Sequence, residues 1–511
     1  MATIRALIVG VSNYSAMQQN NLPFCNNDIY AITTAFVRGL KVDPDNIIIC
    51  GRNGTVLDSE IIQALQQLSA VAETDDTLLV YFSGHGGTLA DGHNLLLSDA
   101  LLKTQSLITY LEAISAKNKI LFLDCCMAGN FSVGNTAVFN INDTADEFAG
   151  KGYAVLASSN STQYSYGHPN KPISLFTSFL CEALTSTFLI REGKKSLYDI
   201  NKLLFLFLEI WNKNNPTKNQ CPIYRANIGG TIYFEVQDYQ PYIVESFFEE
   251  TEQYIIYAVE PTHSSIAKRY SAKIILKKPF SFLEISHLNH EIIEKVRIQD
   301  IYQTERQSQR WRGQPANLVF CYFGLDESDI KNSNYLCHTT WADNTQDKDW
   351  WYRAGKNCET INGIHFNVHS YYQSLKVFTE EHTGSREKLI ADTRAILSCM
   401  ITLAEQVIAL YNEFLNGTKS EADFVDDMKR FVPEIDRLYF AESNLDIPPD
   451  DLKEWCQQYT GLSATIHDFT LFYNAPHFAK RTAENRKACM DLSIKQYYKE
   501  LEKLKSIDFN I

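Results

Sequence analysis

A chain of 511 residues with 45% hydrophobic and 12% aromatic side chains is too long for one core and apolar enough for two or three. Its formal net charge of −14, with acidic residues outnumbering basic ones on both sides of residue 236, excludes a bulk electrostatic role on nucleic acid. Twelve cysteines are spread without a dense framework, which points to reduced thiols in a cytoplasmic protein.

The opening "MATIRALIVGVSNY" lacks the basic flank and apolar length of a signal peptide and reads as a first strand. Further strands are expected at 46–50, 77–84, 119–125, 153–159 and 230–236. Helical periodicity lies between them: after the cap-like Asn26-Asn27-Asp28, from Ser59, and over about 105–116, 174–187 and 196–212. Continuous apolar strands alternating with helices indicate a mostly parallel sheet covered on both faces. The apolar run "LLFLFLEIW" at 203–211 is about half a membrane span, so no membrane partner is expected.

After residue 236 the texture changes. "DYQPYIVESFF" reads as a linker, and residues 240–370 mix strand signals such as "QYIIYAVE", "AKIILKK" and "ANLVFCYFG" with polar loops. A long helix is predicted over 386–416 behind the cap Gly384-Ser385, with others at 420–432, 449–459 and 479–506. The expected division is a domain at 1–236 and a second at 237–511, mixed α/β over about 240–370 and helical over about 385–506.

In a parallel α/β sheet the reactive groups gather beyond the C-terminal strand ends. Two motifs sit there. "YFSGHGG" puts His85 past one strand between glycines, whose backbone can turn sharply and leave amide N–H groups open. "KILFLDCCMAG" ends the next strand in Asp124, Cys125 and Cys126. A thiol, a base and free N–H donors are the parts of nucleophilic cysteine catalysis. The 41 residues from His85 to Cys126 hold one helix, so neighbouring strands can bring them to one substrate.

The pair "YFSGHG" and "DCCMAG" resembles the caspase and metacaspase superfamily of cysteine proteases. "ALIVGVSNY", "LPFCNNDIYAI", "SLFTSFLCEAL" and "QCPIYRANIGGTIYF" resemble its first strand, its N-D entry, a later helix and its closing strand, although Phe24 and Ile29 depart from the entry pattern. The resemblance implies a caspase-hemoglobinase-like fold, a mostly parallel six-stranded sheet flanked by helices. It implies Cys126 as nucleophile, His85 as base, and the N–H groups of Gly86 and Cys126 as oxyanion donors. Asp124 and Asp28 would line the S1 pocket, which selects Arg or Lys because paired carboxylates demand a cation. No cofactor is expected. Relatives with an added domain suggest a protease held in check until a signal acts on that domain, as in bacterial antiphage defence with a nucleotide-derived messenger. The alternatives are an inactive scaffold, and a calcium-triggered metacaspase using Asp91 and Asp99.

Two other clusters stand out. Trp311, Trp341, Trp350 and Trp351, interleaved with Arg353 and other cations, form either a core with charged rims or a pocket for an anionic ring system. Cys337, His338, Cys358, His365 and His369 have no C-x-x-C pair, and no metal site is assigned to them.

Overall fold

The computed structural model describes residues 2–89, 92–125, 153–158, 165–226, 230–236, 244, 246–474 and 478–507. The N-terminal elements are β1 (Ile4–Gly10), α1 (Phe24–Leu40), β2 (Ile47–Cys50), α2 (Asp58–Val71) and β3 (Thr77–Ser83). A small antiparallel sheet follows, of β4 (Gly86–Leu89), β5 (Gly92–Leu96) and β6 (Leu101–Lys103). Next come α3 (Thr104–Glu112), β7 (Asn118–Asp124), β8 (Tyr153–Ala157), α4 (Leu175–Thr185), β9 (Lys194–Ser196), α5 (Leu197–Asn214), β10 (Ile223–Ala226) and β11 (Tyr233–Glu235).

The main sheet has the order β10-β8-β7-β3-β1-β2. Strands β1, β2, β3, β7 and β8 are parallel, and β10 is antiparallel to β8. All seven residues of β3 are buried, and six of the seven in β7, which explains why these strands read as unbroken apolar runs. Two expectations need correction. The sixth strand is Ile223–Ala226; the segment expected at 230–236 instead contributes β11 to a two-stranded ribbon with β9. Helix α1 begins at Phe24 behind Pro23, so Asn26-Asn27-Asp28 lies inside the helix and does not cap it.

A second sheet is built from β12 (Glu249–Glu250), β13 (Tyr254–Pro261), β14 (Arg269–Leu276), β15 (Leu318–Gly324), β16 (Cys337–Ala342), β17 (Cys358–Ile361) and β18 (Ile364–Val368). Its order is β12-β13-β14-β15-β16-β18-β17, with β14 and β15 the parallel pair. The connection between those two carries α6 (Phe282–Arg297), whose start is fixed by a capping box of Ser281 and Glu284. It also carries α7 (Glu305–Trp311).

Helix α5 joins the two sheets. Leu197, Ile200, Leu203, Leu204, Leu206, Phe207, Leu208 and Ile210 are all buried, so the helix is apolar around most of its circumference. Its polar positions reach the second sheet and its helix. Lys202 pairs with Glu284 at 2.7 Å, and Lys213 pairs with Glu359 and lies 5.1 Å from the centre of the Phe282 ring. One apolar cluster runs from Ile8 and Phe122 through Leu206 to Phe282, Val319 and Phe366. The compact units are accordingly Met1–Gln373 and Ser374–Ile511, so the mixed region shares a unit with the N-terminal sheet.

The second unit contains α8 (Arg386–Leu415), α9 (Glu421–Ser443), α10 (Lys453–Asp468) and α11 (Ala483–Ile507). Ser385 caps α8 by accepting from the Lys388 N–H, as its position predicts. Helix α8 is long and apolar enough to cross a membrane, and it buries Leu397, Met400, Ala404, Val407 and Tyr411 in the core of this unit. Helix α9 continues through Pro433, beyond the expected end at 432, because Ile435 and Leu438 are needed in that core.

The shared core has a measurable consequence. Phe282→Ala in the full chain should cost about 3–5 kcal/mol, and native-state hydrogen exchange should show β3 and β15 amides losing protection together. Independent loss in the two strands would mean that the sheets are separate folding units.

Candidate active site

The parallel register pairs Ser83 with Asp124 at the C-terminal ends of β3 and β7. In sequence, His85 and Cys126 each stand two residues past this pair. Cys126 lies outside the described residues. Cys125 is 1% exposed and packs in the core on the α2 and α3 side of the sheet, the role of a small hydrophobe.

His85 is half-buried and held on two sides. Its backbone N–H donates to Tyr14 Oη at 2.7 Å, and the two rings lie 4.6 Å apart, tilted. Its Nε2 is 2.8 Å from the Asn20 carbonyl oxygen. A carbonyl only accepts, so Nε2 carries the hydrogen and the neutral ring keeps its lone pair on Nδ1. Tyr14 itself is fully buried, and a Cβ at Gly84 would come within 2.4 Å of its hydroxyl. Glycine at 84 is therefore a steric requirement of the histidine turn.

Behind this turn lie the two acids. Asp28 is fully buried; its Oδ2 accepts from Ser83 Oγ at 2.7 Å and its Oδ1 from the Ser174 N–H at 2.8 Å. Asp124 is 4% exposed; its Oδ2 accepts from Thr177 Oγ1 at 2.8 Å and from Ser174 Oγ. Its other oxygen, Oδ1, is buried and accepts no hydrogen bond among the described residues. The Ser165 and Ser158 hydroxyls are near enough to favour its charge. Burial, with the neighbouring Asp124 charge second, pushes Asp28 up to about 7. Burial likewise raises Asp124 above the ordinary carboxylate range. No cation pairs with either acid among the described residues.

Sequence reading named Asp28, Asp124, His85 and Gly86 here and missed the groups that hold them. Ser174 and Thr177 were legible only as a helix-start pair in "SLFT"; Ser174 indeed caps α4 while its side chain also reaches Asp124. Tyr14 and the Asn20 carbonyl carried no local signal. Gly86 begins β4, directly after His85. Of the calcium candidates, Asp91 lies outside the described residues, and Asp99 accepts from the Asp58 N–H at 3.0 Å at the start of α2.

The tryptophans do not gather into one pocket. Trp341 packs on the cluster under α6, with Arg297 4.9 Å from its ring centre, whereas Trp351 packs with Phe320 and Leu318 in a separate cluster. Adjacent positions of one strand face opposite ways, so Val319 and Phe320 put these two residues on opposite sides of the sheet. Trp311 is nearly buried and donates to the Ser264 carbonyl at 3.2 Å. Trp350 is 61% exposed, with Arg353 5.5 Å from its ring centre. His338 and His369 bond each other, Nδ1 to Nε2, at 2.8 Å, while Cys337 is buried in the core. Among the described residues no group of three or more His, Cys, Asp or Glu is arranged to hold a metal.

A parallel sheet with a histidine turn at the end of one strand and an acid-thiol turn at the end of its neighbour defines the class of caspase-hemoglobinase folds. Residues 3–228 match the family model of the caspase domain, Peptidase_C14. Over 146 residues it is 25% identical to "Metacaspase III c" of Phaeodactylum tricornutum, a match covering 25% of this chain and 43% of that protein. The chain thus spans less than half the length of that relative. Among solved structures, caspase-1 from Spodoptera frugiperda is similar with a TM-score of 0.35 and 16% identity, covering 47% of this chain and 92% of that one.

Burial of the Asp28 carboxyl has a signed effect on stability. Its folded pKa lies above its unfolded value, so the contribution is present below about pH 4 and is lost as pH rises through about 7. Asp28→Asn, which cannot ionise, should therefore raise the melting temperature more at pH 8 than at pH 5. Equal effects at the two pH values would mean that Asp28 is ionised in the fold across this range.

Proposed function

We propose that the chain is a cysteine endopeptidase that cleaves proteins or peptides after Arg or Lys. The observation that carries the specificity is the buried pair Asp28 and Asp124, held by hydroxyls and one backbone N–H and paired with no cation among the described residues. A guanidinium entering there meets Asp124 Oδ1, a buried acceptor with no hydrogen bond by geometric criteria among the described residues. Arg suits a paired-carboxylate pocket better than Lys because its planar fork can engage two oxygens.

The chemistry is acyl transfer. The Asn20 carbonyl holds Nε2–H of His85, so Nδ1 takes the Cys126 proton. The thiolate attacks the carbonyl carbon after the basic residue, and the N–H groups of Gly86 and Cys126 receive the oxyanion. As positive charge develops on His85, its bond to Asn20 strengthens. Nδ1–H then passes to the departing amine. Water, deprotonated by the same nitrogen, releases the acyl group and restores the thiol. This cycle needs no cofactor.

Control is assigned to the part after residue 236. The second sheet shares its core with the protease sheet, which favours a static platform, and the helical unit Ser374–Ile511 is the better receiver of a signal. A nucleotide-derived messenger in an antiphage setting remains the reading suggested by family resemblance. The exposed Trp350–Arg353 stack is the part of the tryptophan region open to such a ligand.

Purified Cys126→Ala should lose all cleavage of fluorogenic Arg peptides, whereas Cys125→Ala, a small change in a packed position, should keep most of it. The reverse result would move the nucleophile to Cys125, full activity of Cys126→Ala would exclude Cys126 as the nucleophile, and cleavage by neither the variant nor the unaltered chain would leave the inactive-scaffold reading standing. Asp124→Asn should cut kcat/KM on Arg peptides by well over tenfold, since removing a buried charge partner costs about 2–5 kcal/mol. A panel with Asp, Arg and Lys before the scissile bond, assayed with and without calcium and infected-cell extract, checks specificity and trigger together.

A further inference from the structure

Ser174 is the residue among the described ones that hydrogen-bonds both acids. Its N–H donates to Asp28 Oδ1 at 2.8 Å, and its hydroxyl donates to Asp124 Oδ2. It is 1% exposed and sits at the cap of α4, so its position is set by the helix. The groups facing the pair are neutral. They are Cys25 on α1, Tyr81 and Ser83 on β3, and Thr177 and Cys181 on α4; burial pushes the Cys25, Tyr81 and Cys181 groups up, away from ionisation. The charges acting on Cys181, Lys171 and Glu182, pair with each other at 3.0 Å. The His85 ring, beyond β3, is tied to Asn20.

We propose that Ser174 is a positioning residue that holds Asp28 and Asp124 close enough to share one proton when no substrate is bound, and that a basic substrate side chain displaces this proton on entry. This rests on the Arg or Lys reading of the pocket. The physical argument is that two carboxylates in one desolvated site cannot both stay ionised without a cation. The proton supplies the missing positive charge, and a guanidinium or ammonium replaces it one for one. Charge balances: one cation enters and one proton leaves to solvent. Burial and the neighbouring Asp124 charge, which push Asp28 up to about 7, agree with this exchange. Binding of basic residues is then linked to pH. Affinity should fall about tenfold per unit as pH drops below the value of the substrate-free pair, because a full proton is released on binding.

The test uses the full chain with Cys126→Ala, so that binding is measured without turnover. A peptide ending in Arg is titrated calorimetrically between pH 5.5 and 8.5 in buffers of different ionisation enthalpy. The expected result is release of close to one proton at pH 6, falling toward none at pH 8.5, with affinity rising along the same curve. In the same background, Ser174→Ala should weaken Arg binding at pH 8 by tenfold or more and shift the proton-release curve. Ser174→Thr, which keeps both donors, should restore both. A citrulline-ended peptide, neutral but similar in shape, should release no proton. Arg binding with no proton release at any pH overturns the proposal while leaving the specificity intact. An unshifted release curve and unchanged affinity in Ser174→Ala overturn the role of Ser174. Equal binding of the Arg and citrulline peptides overturns the specificity reading, and the proposal falls with it.

Discussion

Two carboxylates buried at the end of one strand pair set the terms for the rest of this site. Asp28 arrives from α1 and Asp124 from β7, and neither has a cation among the described residues. An ionised acid in such a place is costly unless hydrogen-bonded, and the fold answers with Ser83, Ser174 and Thr177. These donors come from β3 and the start of α4. Satisfying the acids therefore fixes the mutual position of α1, β3, β7 and α4, and β3 and β7 are the strands whose ends carry the histidine and the acid-thiol motifs. Satisfying the buried acids and building the local architecture are one constraint here.

The histidine turn shows the same economy of parts. Tyr14 is buried beneath Gly84, accepts the His85 N–H and stacks obliquely on the ring, while the Asn20 carbonyl fixes the tautomer. Tyr14 and Asn20 belong to the loop after β1, which folds back on itself through the Leu22 N–H to the Ser12 carbonyl at 2.9 Å. His85 is thus oriented by main-chain and aromatic contacts.

Beyond the site, α5 decides how the chain is divided. An 18-residue helix that is apolar around most of its circumference has more to bury than one sheet can cover, and its apolar residues join a cluster drawn from both sheets. That joins the seven-stranded sheet to the protease sheet in one compact unit and leaves the helical part, with its own core around Met400, Tyr411 and Phe469, as the second.

By itself the sequence determined the parallel sheet, through unbroken apolar runs such as "TLLVYFS" and "KILFLD". It also placed His85 and the Asp124–Cys126 turn at strand ends, because strand periodicity and glycine turns are local properties. Capping at Ser385 was local too, and so was readable. Only the tertiary structure decided which residues hold the acids. Ser174 lies 146 positions from Asp28 and 50 from Asp124, and no periodicity connects them. It also corrected Asp28 from a cap-like to a buried helix-interior residue and moved the sixth strand to Ile223–Ala226. The aromatic run at 311–351 was divided between the two faces of a sheet. In each case the reason is the same: hydrogen-bond partners, strand order and the sides of a sheet are set by chain segments distant in sequence, and local patterns carry no record of them.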